Sequence, residues 1–595
     1  IAGTIDTSTS SSSGSAGSIS ITANTGNLVV DRVLTTASSF FGFIGNGGNV
    51  NLAAPNGSIT VTNQVATGAT AVGAIDTAGS GGQITISALA NISITNSLNS
   101  SATANGAFTT AGSSGNITLS STSGTINPGS FINTVASNPG SGSTVGSGGQ
   151  VNINGTVGLT QSLTVTTQGV TASGNITFAN TINGSNALSL NAATATVILN
   201  GAVGNVTPLS DITLTGSEIN FATPIAGTGT FILQPFDPTQ AIILGGAGGT
   251  TALDITGTKI GLIQPGFTSV TIGRADSSGA ITQASNVSFQ NPLTLRSPVG
   301  AGSITTTGFT LSNSGNSVTL LANQSINSGT IDTSTTNTTN GGAITITSTT
   351  GNVNTIGSLN SFSEPGFGAS GNGGNIQISS PTGSISVTNA IQAHSESNFA
   401  NAANSGTVNL TAGTGITVTG GIIDTRSQAN SSSSTGNGGS ISLVTTNGDI
   451  NTNLLFSRAL VNGTNGNAGT GGSVFLNAPN GNITINTPAE GIVAHSIAGS
   501  ASGTSSNAGT VTLNAGGNIG ITGTNGIDAR SLSVVTSGNG GTIDLTATGT
   551  ITLNGGFIDT SSSTQIAGNL TVTGNTVLNG ATFALNSTGG TAGGN

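Results

Sequence analysis

The sequence predicts an all-β fold, a parallel β-helix or β-solenoid with about three strands in each coil of about 33 residues, built as a single elongated rod. Two observations support this prediction. Apolar and polar residues alternate in short segments, as in strands with one buried face. The segments also recur at a nearly constant period. One such unit cannot bury its apolar face alone, so successive units must stack on a shared core.

Each unit begins with a strand that follows a glycine and carries an apolar residue, any residue, and then Ile or Leu. Alternate apolar positions of a strand point to the same side, so both should face the core. The first apolar residue of this strand stands at Ile19, Val50, Ile84, Ile117, Val151, Ile344, Ile376, Val408, Ile441, Val474, Val511 and Ile543.

A second strand is predicted about nine residues later, as at residues 59–61 and 483–485, and a third segment often reads Ile-Asp-Thr. The third-segment position accepts Asp, Asn or Gln, so we expect a ladder whose side-chain amides hydrogen-bond along the stack. Asp528 and Asp559 should be neighbours in it. The residues assigned to the ladder are Asp6, Asp76, Asn99, Asn133, Asp332, Asn360, Gln392, Asp424, Asp528 and Asp559.

The repeats divide the chain into four predicted segments. Regular repeats cover 1–160 and 326–564, a less regular solenoid module with shorter coils covers 161–325, and 565–595 begin a further irregular module or a C-terminal tail. Residues 3–9 match 329–335, and 570–573 match 163–166, which indicates a super-repeat. We therefore expect the chain to be a fragment or processed subunit of a longer secreted protein.

Composition excludes several classes of function. Seven basic and 17 acidic residues in a chain of 595 leave no basic patch for a nucleic acid. The chain contains no cysteine, which excludes disulfides and thiolate metal sites. It also lacks an apolar run long enough for a membrane-spanning helix. Disorder is disfavoured because 34% of the residues are hydrophobic and are placed periodically.

Repeats such as residues 47–61, Gly-Gly-Asn-Val-Asn-Leu-Ala-Ala-Pro-Asn-Gly-Ser-Ile-Thr-Val, resemble those of filamentous-haemagglutinin-like exoproteins. The stretches 271–276 and 295–300 resemble a module of large β-strand-repeat surface proteins of cyanobacteria. The resemblance implies a right-handed β-helix, two-partner or related secretion, and display on the outer surface as an adhesin or fibre. The Asn-Pro-Asn-Gly motif of that family's secretion domain has no match here, since residues 54–57 form a turn inside a repeat.

No catalytic, cofactor-binding or metal site is predicted. Asp424 with Arg426, and Asp528 with Arg530, are expected to form surface ion pairs, and Arg530 should offset the repulsion between Asp528 and its neighbour in the ladder. His394 and His495 fall at similar places three coils apart, and we expect no carboxylate to converge on either of them. A glycine-rich stretch at 245–249 is not expected to precede a helix, so it predicts no phosphate site.

Phenylalanines in the loops after the third strand are candidates for an apolar seam that joins neighbouring rods or subunits. The alternative is that each ring folds back over its own coil. The seam candidates are Phe40, Phe41, Phe43, Phe108, Phe362, Phe367 and Phe399.

These observations favour a structural, non-enzymatic protein. We expect a secreted β-solenoid at the cell surface or in the extracellular matrix that forms a fibre by associating with itself. One alternative is an adhesin whose loops bind carbohydrate, with extracellular polysaccharide as a partner, or bind cell surfaces. A second is a polysaccharide-active enzyme of the β-helix class. No nucleic acid, membrane span or cofactor is expected.

Overall fold

A computed structural model describes residues 3–10, 13–39, 42–73, 77–105, 110–137, 146–487, 490–523, 525–579 and 584–594. The chain forms two compact units, Ile1–Arg274 and Ala275–Asn595. Both consist almost entirely of short parallel strands. The predicted fold class, a parallel β-solenoid, is confirmed.

In the unit Ile1–Arg274, each regular coil runs through a first, a second and a third face, and short extra strands follow the third face. First-face strands, two of which extend onto the second face, are Ile19–Thr22, Val50–Ala54, Ile84–Ala88, Ile117–Asn127, Val151–Gly158, Ile176–Phe178, Thr196–Leu199 and Glu218–Phe221. Second-face strands are Leu28–Val30, Ile59–Val61, Ile92–Ile94 and Ile182–Asn183. Third-face strands are Thr4–Asp6, Arg32–Leu34, Val65–Ala66, Ser97–Asn99, Phe131–Asn133, Leu163–Thr166, Leu188–Asn191, Ile212–Gly216, Thr230–Pro235 and Ser269–Ile272. The remaining elements are strands Ala37–Ser39, Ala69–Ala71, Thr77–Ala78, Ala102–Ala104, Thr110–Ala111, Ala136–Ser137, Ile242–Leu244 and Leu253–Ile255, and helix Gly257–Leu262.

Each regular coil of the unit Ala275–Asn595 also runs through three faces, which are numbered here by their order within the coil. First-face strands, two of which extend onto the second face, are Leu293–Ser297, Val318–Ala322, Ile344–Ser348, Ile376–Ser380, Val408–Ala412, Ile441–Thr445, Val474–Ala478, Val511–Ala515, Ile543–Asn554 and Leu570–Asn579. Second-face strands are Ile281–Gln283, Ile304–Thr305, Ile326–Ser328, Val353–Thr355, Ser384–Val387, Gly415–Val418, Ile450–Thr452, Ile483–Asn486 and Ile519–Thr522. Third-face strands are Val287–Ser288, Thr310–Ser312, Thr330–Asp332, Leu359–Asn360, Ile391–Gln392, Ile423–Asp424, Leu455–Phe456, Glu490–Val493, Asn525–Asp528, Phe557–Asp559 and Ala584–Asn586. Five strands follow the third face, namely Ser395–Ser397, Ser427–Ala429, Ala459–Val461, Ser496–Ile497 and Ser531–Leu532.

The coils stack in register at the positions that the sequence predicts. Ile376 pairs with Val408, which in turn pairs with Ile441 on the next coil. These side chains are fully buried, as are Ile or Leu two residues later in the same strands. Aliphatic side chains therefore stack on aliphatic side chains, and the core is a set of aliphatic columns that each coil extends.

Buried hydroxyls join the third face to the glycines that precede the next first-face strand. Thr425 and Ser457 both donate to the carbonyl oxygen of Gly439, at 2.7 and 2.5 Å. A Cβ atom at Gly439 would overlap the carbonyl oxygen of Gly406 on the preceding coil. This explains why the Ile-Asp-Thr segment and the Gly-Gly pair recur together: the hydroxyl needs the carbonyl, and the close approach of coils requires glycine.

The assignment of Asp76 to the third-strand ladder was wrong. The ladder position of its coil belongs to Ala66, which pairs with Leu34 and Asn99 on the adjacent coils. The strand Val65–Ala66 lies about ten residues before the predicted segment. Asp76 itself lies outside the described residues.

The less regular module does contain shorter coils, as predicted. First-face partners from Val151 to Ile176, Val197 and Ile219 are separated by 25, 21 and 22 residues. The two matching Leu-Thr-Val-Thr segments differ in their place within the coil, since residues 163–166 stack on the third strand Phe131–Asn133 and residues 570–573 on the first strand Ile543–Asn554. The four-segment division remains a prediction.

No helix in the described parts of the chain combines the length and apolar character needed to cross a membrane.

Candidate functional site: a buried charged strip on the third face

Charged side chains are concentrated along one stretch of the third face in the unit Ala275–Asn595. Acidic side chains on successive coils lie beside a column of basic side chains. We call this set the charged strip; it consists of Glu364, His394, Glu396, Asp424, Arg426, Arg458, Glu490, His495, Asp528, Arg530 and Asp559. It holds both histidines and three of the six arginines of the whole sequence.

The basic column is built by ordinary coil-to-coil hydrogen bonds. The backbone N–H groups of Ser395, Ser427, Ala459 and Ser496 each donate to the carbonyl of the basic residue on the next coil, and the acceptors are Arg426, Arg458, His495 and Arg530. His394 precedes Ser395 and so begins the column. Five positively charged or titratable side chains are thus stacked at the coil spacing of about 4.8 Å.

The centre of the strip is a network around Arg426. Its guanidinium contacts a carboxylate oxygen of Asp424 and lies 2.5 Å from Oε2 of Glu396. Glu396 Oε1 also accepts from Asn430 at 2.5 Å. All three charged side chains are mostly buried, and Asp424 is completely so. Burial would lower the pKa of Arg426, but Asp424 and Glu396 raise it above its ordinary value.

Next to this network lies His394, whose side chain is buried. Its Nδ1 is 3.4 Å from Oδ2 of Asp424 and its Nε2 is 3.6 Å from Oε2 of Glu364, and neither contact has hydrogen-bond geometry. Phe362 stacks on the imidazole with the ring centroids 4.6 Å apart and the planes nearly parallel. Contact with His394 lowers the pKa of Glu364 below its ordinary value, although partial burial opposes this effect.

A second network surrounds His495, three coils further along. Nδ1 of His495 lies 3.0 Å from Oδ2 of Asp528, and Nε of Arg530 lies 3.2 Å from the same oxygen. Burial lowers the pKa of His495 despite the opposing effect of Asp528. Burial would raise the pKa of Asp528, but His495 and Arg530 hold it below the usual value. The pair is therefore a neutral imidazole that donates to a carboxylate.

A cavity of about 300 Å³ opens beside this second network. Glu490, His495, Asp528 and Arg530 line it together with Phe557. Nε2 of His495 is buried and has no hydrogen-bond partner. The cavity therefore combines an aromatic side chain with charged side chains of both signs.

Several sequence expectations are met here and others fail. Asp528 and Asp559 are paired neighbours, and Arg530 lies between them, 3.9 Å from the Asp559 carboxylate. The ladder is real in places, as where the amide of Asn133 donates to Asn99 at 3.3 Å.

In the charged unit, however, Phe456 and Val493 interrupt the ladder between Asp424 and Asp528. The ion pairs of Asp424 and Asp528 were expected at the surface, but both carboxylates are buried.

The expectation that no carboxylate converges on the histidines was wrong for both of them. Along its own coil, the carboxylate that stands near His394 in sequence is Glu396. The contacting carboxylates come from the preceding and following coils, so they stand about 30 residues away in sequence. The clue in the sequence was the concentration of both histidines and three arginines at one phase of the repeat.

The phenylalanines of the predicted seam have several different environments. Phe367 and Phe399 are 81% and 63% exposed and stack on each other with centroids 5.2 Å apart. Phe43 is also exposed, whereas Phe362 covers His394. Phe40, Phe41 and Phe108 lie outside the described residues. The role of the seam in subunit contact remains a prediction.

The unit Ile1–Arg274 contains a separate buried polar contact. Lys259, the single lysine of the sequence, is buried and lies 2.5 Å from Oε1 of Glu218. It also donates to the carbonyl of Asp254 at 2.8 Å. The helix Gly257–Leu262 that carries Lys259 follows the glycine-rich stretch 245–249 after seven residues, contrary to the expectation of no helix there. The paired lysine indicates a structural ion pair.

Comparisons with protein-family models, with curated proteins and with solved structures give no match for this chain.

Proposed function

We propose that this chain is a structural β-solenoid, secreted to the cell surface or extracellular matrix, which forms a fibre by self-association. The observation that carries the proposal is the exposed, stacked pair Phe367–Phe399. The two rings come from loops of neighbouring coils, so they form a continuous apolar patch. The whole sequence has 7 basic and 17 acidic residues among 595, and a surface with little charge offers little repulsion between copies.

Self-association requires only the stiff coil and the exposed aromatic pair. Aliphatic columns and coil-to-coil hydrogen bonds make each segment stiff, and the Phe367–Phe399 patch can bind the same patch on a second copy. Lateral contact between aromatic rings removes them from water, which favours association.

The full chain with Phe367→Ser and Phe399→Ser tests this function by sedimentation velocity and negative-stain microscopy. The wild type should form concentration-dependent assemblies or filaments, and the double variant should shift toward the monomer. Phe475→Ser is the matched control, since Phe475 is a singly placed, 37% exposed ring on a first-face strand. A wild-type chain that stays monomeric, or a double variant that assembles like the wild type, would contradict the proposal.

A second candidate is an adhesin that binds extracellular carbohydrate, and the cavity beside His495 favours it. Saccharides present hydroxyl groups and an apolar ring face, which suit polar side chains beside an aromatic ring. Arg530 would favour an acidic sugar, because guanidinium groups match carboxylates. Binding would use the third face as well as the loops.

Glycan-array binding followed by calorimetry distinguishes this candidate from the first. Phe557→Leu and Glu490→Ala should weaken binding of any retained glycan, whereas Asp449→Asn, an exposed carboxylate on the second face, should not. If no glycan is retained, the adhesin candidate fails. New reducing ends that appear with wild type and vanish with His495→Gln would instead favour the polysaccharide-active enzyme.

A further inference from the structure

His394 is the most unusual buried group of the charged strip. Its side chain is 3% exposed, and neither ring nitrogen has a hydrogen-bond partner. A buried polar atom without a partner costs free energy, so such an atom usually has a purpose or a missing partner. Phe362 covers one face of the ring, and the ring edge with Nε2 is directed toward Glu364.

Three potential ligand atoms lie close together around this ring. One oxygen from Glu364, one nitrogen from His394 and one oxygen from Glu396 all lie within 4.8 Å of one another. The 3.6 Å between Nε2 and the Glu364 oxygen is too long for a good hydrogen bond. It is close to the separation of about 3.4 Å between two ligand atoms that each lie 2.0–2.2 Å from a tetrahedral metal ion.

On its other side, the imidazole has the environment typical of a metal-binding histidine. Nδ1 lies 3.4 Å from a carboxylate oxygen of the fully buried Asp424. Metal-binding histidines usually present their second ring nitrogen to a carboxylate, and Nδ1 faces one here although this contact lacks hydrogen-bond geometry. Asp424 is in turn held by Arg426.

The net charge of the groups around His394 also favours a bound cation. Glu364, Glu396 and Asp424 supply three carboxylates, and Arg426 is the one cation in ion-pair contact with the last two among the described residues. These three carboxylates and Arg426 carry an excess of two negative charges in a largely buried setting. A divalent cation would neutralise this excess.

From the unpartnered imidazole, the converging carboxylates and the charge balance, we infer that Glu364, His394 and Glu396 form a binding site for a divalent transition-metal ion such as Zn²⁺. His394 binds through Nε2, and Asp424 is a positioning residue behind the ring. One imidazole with carboxylates suits zinc and its neighbours, whereas calcium prefers oxygen ligands alone. The Glu364 side chain is 41% exposed, so an ion can reach the site from solvent.

The full chain, stripped with a chelator and dialysed, is titrated with Zn²⁺ by calorimetry at pH 7, with stoichiometry checked by elemental analysis. The wild type should bind about one ion per chain. Glu364→Gln and His394→Gln should each weaken binding ten-fold or more, and Asp424→Asn by about 10- to 100-fold. Asp449→Asn is the control and should bind like the wild type. Because Glu364 is partly exposed, its variant should fold even where His394→Gln does not.

Co²⁺ provides a second readout, because its visible absorption should appear with the wild type and be lost with Glu364→Gln. Ca²⁺ should not compete at equal concentration. The inference is overturned if wild-type protein binds no Zn²⁺ in a saturable way, or if Glu364→Gln and His394→Gln bind it as tightly as the wild type. It is also overturned if His394 proves to be a protonated bridge between its two carboxylates that excludes the ion.

Discussion

The third faces of the two units have the same backbone and opposite side-chain chemistry. In the unit Ile1–Arg274 the ladder position runs through Asp6, Leu34, Ala66, Asn99 and Asn133, and the charged residues in these strands or directly beside them are Asp6, Asp31 and Arg32 among the described residues. In the unit Ala275–Asn595 the equivalent coils carry the charged strip. Both faces stack coil upon coil in parallel register with fully buried aliphatic columns beneath them.

It follows that the inward residues specify the coil, whereas the outward residues are free to vary. The uncharged face shows that the solenoid needs no ions at this place. Burying a charge is costly, and a buried ion pair adds little to stability compared with apolar or neutral residues. The concentration of charges on one face of a sequence so poor in them therefore supports the proposed ion-binding site.

The largest effect should come from removing one charge of the strip. Arg426→Leu leaves Asp424 and Glu396 buried without their cation, and we expect a loss of about 3–5 kcal/mol in the free energy of unfolding. Denaturant unfolding of the full chain measures it, with local hydrogen exchange over residues 391–430. Arg32→Leu on the uncharged face, where the side chain has no ion pair among the described contacts, is the comparison. An equal effect of both would remove the distinction between the faces.

The next largest effect concerns the buried aliphatic columns, which both units have. Ile378→Ala removes methyl groups from a fully buried column, and we expect a loss of about 2–4 kcal/mol. Gln377→Ala, on the exposed side of the same strand, should change stability by less than about 0.5 kcal/mol. If the two substitutions had similar effects on the unfolding midpoint, the inward columns would not specify the coil.

A smaller effect is expected at the contact between coils. Gly439→Ala places a methyl group against the carbonyl of Gly406 and should cost about 1–3 kcal/mol. Gly520→Ala is the matched control, because a Cβ there meets no other atom within 4 Å. Thermal unfolding of the two variants separates close packing from the general effect of losing a glycine. Equal melting temperatures would contradict this account.

The smallest effect is the pH dependence of the strip. The folded-state pKa of His495 lies below its ordinary value of 6.5, because burial disfavours the imidazolium. The stability contribution of the neutral form is therefore present above pH 6.5 and is lost as the pH falls below that value through the folded-state pKa. Unfolding between pH 7.5 and 4.5 should show this loss, and His495→Gln should reduce it. If the free energy of unfolding rose as the pH fell over this range, the folded-state pKa of His495 would lie above its ordinary value and not below it.

The inward half of this structure could be predicted from the sequence, because aliphatic residues alternate and recur, and stacking requires them to align. The first-face register at Ile376, Val408 and Ile441 follows directly. The third strand at Val65–Ala66 could not be read in the same way. Two segments of that coil were plausible strands, and only stacking against Val33 and Leu98 decides between them.

The strip was recognisable only in part, because its contacts join coils rather than neighbours in sequence. The pairs of Asp424 with Arg426 and of Asp528 with Arg530 stand two residues apart and were predicted. The contacts of His394 with Glu364 and of His495 with Asp528 cross between coils and were missed. Burial of these outward residues was also missed, since outward positions of a regular strand are normally solvated.

The central claim is that the charged strip serves binding and that the coil does not need it. The most direct test is the combined variant Glu396→Gln, Asp424→Asn and Arg426→Leu, followed by hydrogen exchange over residues 391–430 with and without Zn²⁺. The account predicts protection equal to or above that of the wild type without the ion, and no further protection on adding it, whereas the wild type gains protection. Loss of protection in the combined variant as severe as in Arg426→Leu alone would contradict the claim.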